Sequence, residues 1–160
     1  MLRLLTGCAA LLPWLRSSAA APVPATAEDR AATLAAMVDT LMPADSSPGA
    51  TALGVDKAIL EAAARNANVA RIVNAGCDWL AQEADGAPFA ALPEPARVAI
   101  LERAEQASAA ALQNAFFRYC LDAVYRNYYA HPDSWPALGY QGPPQPAGFP
   151  DQAEAPGEGH

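Results

Sequence analysis

The chain is poor in the residues that carry most enzyme chemistry. It has two histidines, three cysteines and a single lysine, Lys57. A catalytic site needs a nucleophile with its base, a metal cluster, or a paired acid and base. His160 is the terminal residue, and His131 stands beside Pro132 at the end of a helical stretch. A cation suits that position, so His131 reads as structural. No H-E-x-x-H, G-x-S-x-G, Walker A loop or G-x-G-x-x-G is present. No cysteine lies in a C-x-x-C or C-x-x-C-H pattern, which excludes c-type haem attachment, a thioredoxin-like pair and an ordinary zinc site. The expectation is a chain with no catalytic residue, no bound cofactor and no metal of its own.

Positive charge is also scarce. Ten basic residues face 17 acidic ones, for a net charge of -7. Phosphate binding needs clustered Lys and Arg, so nucleic acid is excluded as a partner. An anionic membrane leaflet is excluded on the same ground. No apolar run is long enough to span a bilayer. The first 21 residues read instead as a targeting segment. Arg3 is a short basic region, an apolar stretch runs over residues 4–15, and Ala19 and Ala21 fit an A-x-A cleavage site. That implies an exported chain. Leu5-Thr6-Gly7-Cys8 has the small residues of a lipidation signal, but its apolar run follows Cys8 instead of preceding it.

What the chain does have is alanine and helical periodicity. Sustained period-two alternation is absent, so no sheet is expected. Thr26 is a suitable N-cap, with Glu28 and Asp29 in the first turn. Leu34, Met37, Val38 and Leu41 then form one apolar stripe, ended by Pro43. A second helix is expected over 55–65, with Val55, Ile59, Leu60 and Ala63 on one face, broken by Asn66 and Asn68. A third is expected over 69–83, with Val69, Ile72, Val73, Gly76 and Leu80 as its stripe and Gly86 as terminator. Phe89 and Leu92 read as core plugs in a short link. A fourth helix opens at Glu94-Pro95 and carries Val98, Ile100 and Leu101. The fifth, over 108–129, is apolar on more than one face, so it is central or shared with a partner. The fold expected is all-α: a small bundle of about five helices over 22–130, followed by an extended Pro-rich C-terminal tail over 131–160.

The tail carries seven prolines and five glycines, yet also Trp135, Tyr140 and Phe149. Such chain has no periodicity with which to build a core. It lies over another protein, folds back on its own bundle, or is disordered, as is expected for the last eight residues. The residues singled out for a partner interface are Phe117, Tyr128, Tyr129, Trp135, Tyr140, Pro143, Pro144 and Phe149. Cys77 and Cys120 are either joined to each other or both free and buried.

Three blocks carry a family resemblance. The first is Leu41-Met42-Pro43-Ala44-Asp45, followed by Pro48-Gly49-Ala50 and Gly54-Val55-Asp56. The second is Pro88-Phe89-Ala90-Ala91-Leu92-Pro93 before a helix. The third is Phe116-Phe117 with the ending Leu138-Gly139-Tyr140-Gln141-Gly142-Pro143-Pro144 and Gly148-Phe149-Pro150-Asp151. In order and spacing these resemble the gluconate 2-dehydrogenase subunit 3 family over residues 27–151. The resemblance implies a small subunit that binds a large FAD-dependent dehydrogenase of the glucose-methanol-choline type, acting on a sugar or alcohol. It also implies that the complex is membrane-associated in the periplasm of a Gram-negative bacterium, that a cytochrome c subunit with haem c can complete it, and that the small subunit supports maturation and export. The sequence departs from the family in lacking a twin-arginine pair, and His131-Pro132-Asp133-Ser134-Trp135 stands where many members show Gly-Gly-Asn. The competing reading is a free-standing periplasmic ligand-binding or structural helical protein with no redox partner.

Overall fold

The computed structural model describes residues 26–142. The targeting segment and residues 143–160, with Pro143, Pro144 and Phe149, lie outside the described residues. Within them the chain forms five α-helices: α1 (Ala27–Leu41), α2 (Val55–Arg65), α3 (Ala67–Glu83), α4 (Glu94–Gln106) and α5 (Leu112–Ala130). Three single 3-10 turns, at Phe89–Ala91, Pro132–Ser134 and Pro136–Leu138, complete the secondary structure. No strand occurs among the described residues, so the all-α expectation holds.

The helix starts follow local chemistry. At α1, the Thr26 side chain accepts from the Asp29 N–H while the Asp29 carboxylate accepts from the Thr26 N–H, a reciprocal capping box. The Thr26 hydroxyl, which also donates to the Asp29 carboxylate at 2.7 Å, and the Thr26 N–H hold the exposed Asp29 carboxyl below the usual carboxylate range. Asn66 does more than break α2. Its Oδ1 accepts from the N–H groups of Asn68 and Val69, so α3 begins at once, two residues earlier than its apolar stripe suggests. α5 begins later than expected, at Leu112. Ser108 to Ala111 closes into a turn through the Ala111 N–H and Ser108 carbonyl at 2.8 Å.

The core is continuous. Leu34, Met37 and Val38 of α1, Val55 and Ile59 of α2, and Val73, Cys77 and Leu80 of α3 are buried together. They meet Phe89 from the link and Phe116, Cys120 and Val124 of α5. α5 and α1 each touch all four other α-helices, and together they form the centre of the bundle. The contact with α3 is the tightest. A Cβ added at Gly76 would stand 2.1 Å from the Phe116 ring, so only glycine lets the two helices close. The junction between α4 and α5 depends on a buried amide. Asn114 Nδ2 donates to the carbonyls of Ala104 and Glu105, at 3.2 and 2.8 Å, and satisfies the C-terminal end of α4.

Replacing Gly76 therefore tests the packing directly. Alanine gains helix propensity of about 1 kcal/mol, but its methyl must displace a fully buried aromatic ring. We expect Gly76→Ala to lower the unfolding free energy by a net ~2 kcal/mol, as overpacking does. Phe116→Leu in the same chain should recover part of the loss. Urea denaturation followed by circular dichroism measures both.

Candidate partner interface

The first family-like block and the described end of the third meet at the C-terminal end of α5. The loop 42–54 is built from its own polar side chains. Asp39, from α1, accepts from both the N–H and the hydroxyl of Thr51, at 2.9 and 2.5 Å. Asp45 Oδ1 accepts from the N–H and hydroxyl of Ser47, which lowers the Asp45 carboxyl from its ordinary value. Gly49 lets the chain pass close to α1, since a Cβ there would sit 3.1 Å from Asp39 Oδ1 and from the Ala44 nitrogen. Ala50 is fully buried beneath the loop. The Tyr128 hydroxyl lies 2.9 Å from both Ser47 Oγ and the Pro48 carbonyl, and its single proton is shared between these acceptors. Residues eighty positions apart are thereby joined.

Beyond α5 the chain turns back. The first part of the expected tail, 131–142, does not extend away from the bundle. His131 Nδ1 accepts the Asp133 N–H, and the buried Ser134 donates to the His131 carbonyl at 2.8 Å. Trp135 Nε1 then donates to the Tyr129 carbonyl at 2.9 Å, which fastens the second turn to the last turn of α5. Gly139, with φ of +69°, ends this turn in the left-handed region. Tyr140 folds over Trp135, ring centroids 5.2 Å apart and nearly perpendicular. A shallow groove of about 390 Å³ runs beside these rings, lined by Pro132, Trp135, Pro136 and Tyr140.

An aromatic surface results. Tyr125 and Tyr129, one helical turn apart, stack with centroids 6.1 Å apart. Trp135 bridges from Tyr129 to Tyr140 and Leu138. Tyr125, Tyr129, Leu138 and Tyr140 are all exposed, Leu138 by 58%. The sequence-based interface set divides accordingly. Tyr129, Trp135 and Tyr140 come together on this surface. Phe117 and Tyr128 do not, and their assignment to an interface is corrected. They are 6% and 3% exposed and belong to the chain's own core, Phe117 through the inward face of α5 and Tyr128 through its bond to the 42–54 loop. Tyr125 and Leu138 were not among the predicted residues. Tyr125 is legible in hindsight, four positions before Tyr129 and out of register with the buried Phe116, Cys120 and Val124.

Among the other polar features of the described residues, Arg30 Nε, Asp56 Oδ1 and Arg97 Nε are buried without a hydrogen-bond partner. A shallow cleft of about 260 Å³ is lined by Asp39, Pro43, Ala44, Thr51, Glu94 and Arg97, but both Asp39 oxygens are committed to Thr51. Among the described residues no group of three or more His, Cys, Asp or Glu could hold a metal ion, and no helix is long and apolar enough to cross a membrane. Cys77 and Cys120 are both free and wholly buried. Burial pushes the Cys77 thiol up to about 12 and raises that of Cys120 further.

A family model described as gluconate 2-dehydrogenase subunit 3 matches residues 28–142. The chain belongs to the gluconate 2-dehydrogenase subunit 3 family. The matched region ends where the described structure ends and includes both the 42–54 loop and the Trp135 turns. No curated protein and no solved structure matches the chain. As a member of a family defined by a dehydrogenase subunit, the chain is associated with a dehydrogenase complex.

Two measurements follow from this geometry. Tyr128→Phe removes the shared proton and leaves the Pro48 carbonyl without it. We expect a loss of about 1–2 kcal/mol of stability and faster amide exchange confined to residues 45–51, read by hydrogen–deuterium exchange. In a Cys8→Ser background, a water-soluble disulfide reagent at pH 8 should find no reactive thiol in the native protein and two after denaturation. Because folding raises the thiol values, their contribution to stability is complete below pH 9, the ordinary thiol value, and declines as pH rises towards 12.

Proposed function

We propose that this family member is a non-catalytic accessory subunit. It binds, stabilises and assists the maturation and export of a large FAD-dependent sugar or alcohol dehydrogenase of the glucose-methanol-choline type. The observation that carries the reading is the family membership over residues 28–142. The physics of the chain is consistent with it. Its polar groups are spent on capping helices and closing loops, as with Asp39, Asp45, Asn114 and Tyr128. Four of the five exposed large apolar residues among the described residues gather at one end of the bundle. In this reading FAD resides in the partner, haem c in a cytochrome subunit where one is present, and the complex works in the periplasm. The partner gives the small chain stability by mass action, because a partner that binds only the folded state shifts the folding equilibrium.

Co-expression with a large FAD-dependent dehydrogenase of the glucose-methanol-choline type from the same organism tests the proposal. We expect the two chains to co-purify, all flavin absorbance to travel with the large chain, and exported dehydrogenase activity to fall at least tenfold when the small chain is deleted. A large chain that is exported with full activity in the absence of the small one would sink the reading.

A further inference from the structure

We propose that the face formed by Tyr125, Tyr129, Leu138 and Tyr140, with Trp135 at its centre, is the docking surface for the large dehydrogenase subunit. This rests on the accessory-subunit reading and names the site through which it acts. The first argument is clustering. Elsewhere in the described chain the large apolar side chains are mostly buried, as Phe89, Phe116, Leu34 and Met37 are at 0–1% exposure, or partly buried against the core, as Trp79 and Tyr119 are. Of the five exposed ones, four lie on this face, and the fifth, Leu112, is at the opposite end of α5. Scattered apolar residues are ordinary on a surface, whereas a contiguous group marks an interaction site.

The second argument is that the face is already ordered. Tyr125 stacks on Tyr129, Tyr129 meets Tyr128 edge-on, and Trp135 is held by its bond to the Tyr129 carbonyl. Tyrosine and tryptophan rings have few rotatable bonds, so a face made of them loses little conformational freedom on binding. Among the described residues the hydroxyls of Tyr125, Tyr129 and Tyr140 make no hydrogen bond, and they can bond polar groups of a partner at the rim.

Charge selects the occupant. From α5 to Gly142 the chain carries Arg118 and Arg126 against Asp122 and Asp133, so this segment is neutral in a molecule of net charge -7. Docking here removes no net charge from water, while a second copy would bring up another body of net charge -7, which repels at long range. Residues 143–160 leave from Gly142, against the Trp135 ring, but they hold Asp151, Glu154 and Glu158 with no Lys or Arg. They are therefore a poor cover for an acidic body. The occupant that fits is a neutral or basic, apolar surface of the unlike large subunit.

The test uses the full chain co-expressed with the same large flavoprotein. Tyr125 and Leu138 are 50% and 58% exposed, so Tyr125→Ala with Leu138→Ala should leave the melting temperature nearly unchanged. We expect at least about tenfold weaker capture of the large chain, and no change with Leu112→Ala, a comparably exposed control. Hydroxyl-radical labelling of the wild-type complex should show Tyr125, Tyr129 and Tyr140 protected relative to the free chain, a readout that needs no variant. Wild-type capture by the double variant, or unprotected tyrosines in the complex, would overturn the face and leave the accessory reading standing. A wild-type chain that captures no flavoprotein would overturn both. A dimer of the free chain that the double variant disperses would assign the face to a second copy and end the proposal. So would increased labelling of Tyr125 in the free chain after deletion of residues 143–160, which would assign it to the chain's own tail.

Discussion

The contact between Gly76 and Phe116 fixes where α5 lies, and most of the remaining structure depends on it. With the Phe116 ring where a Cβ of residue 76 would stand, α3 and α5 approach as closely as backbone and ring allow. α5 can then reach the other three helices as well. Once Phe116 points inward, the helical period sends Phe117, Cys120, Ala123, Val124 and Tyr128 inward with it. The same period leaves Arg118, Asp122, Tyr125 and Tyr129 on the outer side. The exposed aromatic face is thus the geometric complement of the core face of a single helix.

Tyr128 is where core and surface are joined. Its ring is the last buried residue of α5, its hydroxyl holds the 42–54 loop, and its edge supports Tyr129. Sequence alone cannot distinguish Tyr128 from Tyr129, because neighbouring aromatics on a helix point about 100° apart and either could face the core. The decision is made by Pro48 and Ser47, whose acceptors lie eighty residues away in the chain. Phe117 is a similar case. An apolar arc wider than one stripe marks a helix as central or shared, and α5 is both central and exposed, at different positions of that arc.

Local signals were the legible ones. The Thr26 cap, the stripes of α1, α2 and α3, the proline at the start of α4 and the buried Phe89 could be read because their causes lie within a few residues. Asn114 could not be read, because its role is set by carbonyls that become unsatisfied only when α4 ends beside α5. The turns after His131 also escaped a periodicity argument. Single 3-10 turns need only i to i+3 bonds, and proline at their first position supplies the required φ, so a Pro-rich segment can be ordered without an apolar repeat. The Trp135 bond to the Tyr129 carbonyl then satisfies a backbone group that the end of α5 leaves free.

That bond has a consequence for how recognition is divided along the chain. If Trp135 and Tyr140 belonged to a loose tail, binding would have to order the whole segment, at roughly 1–2 kcal/mol per residue for the backbone alone. Fastened to α5, they are ordered before any partner arrives, and that cost is borne by folding of the bundle. An ordered apolar face carries a risk in return, since two copies can meet through it. The net charge of -7 counters this by making like copies repel at long range, while the neutrality of the face itself leaves close contact with an unlike partner unpenalised. Acidity elsewhere and neutrality at the Tyr125–Tyr140 surface therefore act as one device: the first suppresses self-association, and the second permits association with a partner of different charge.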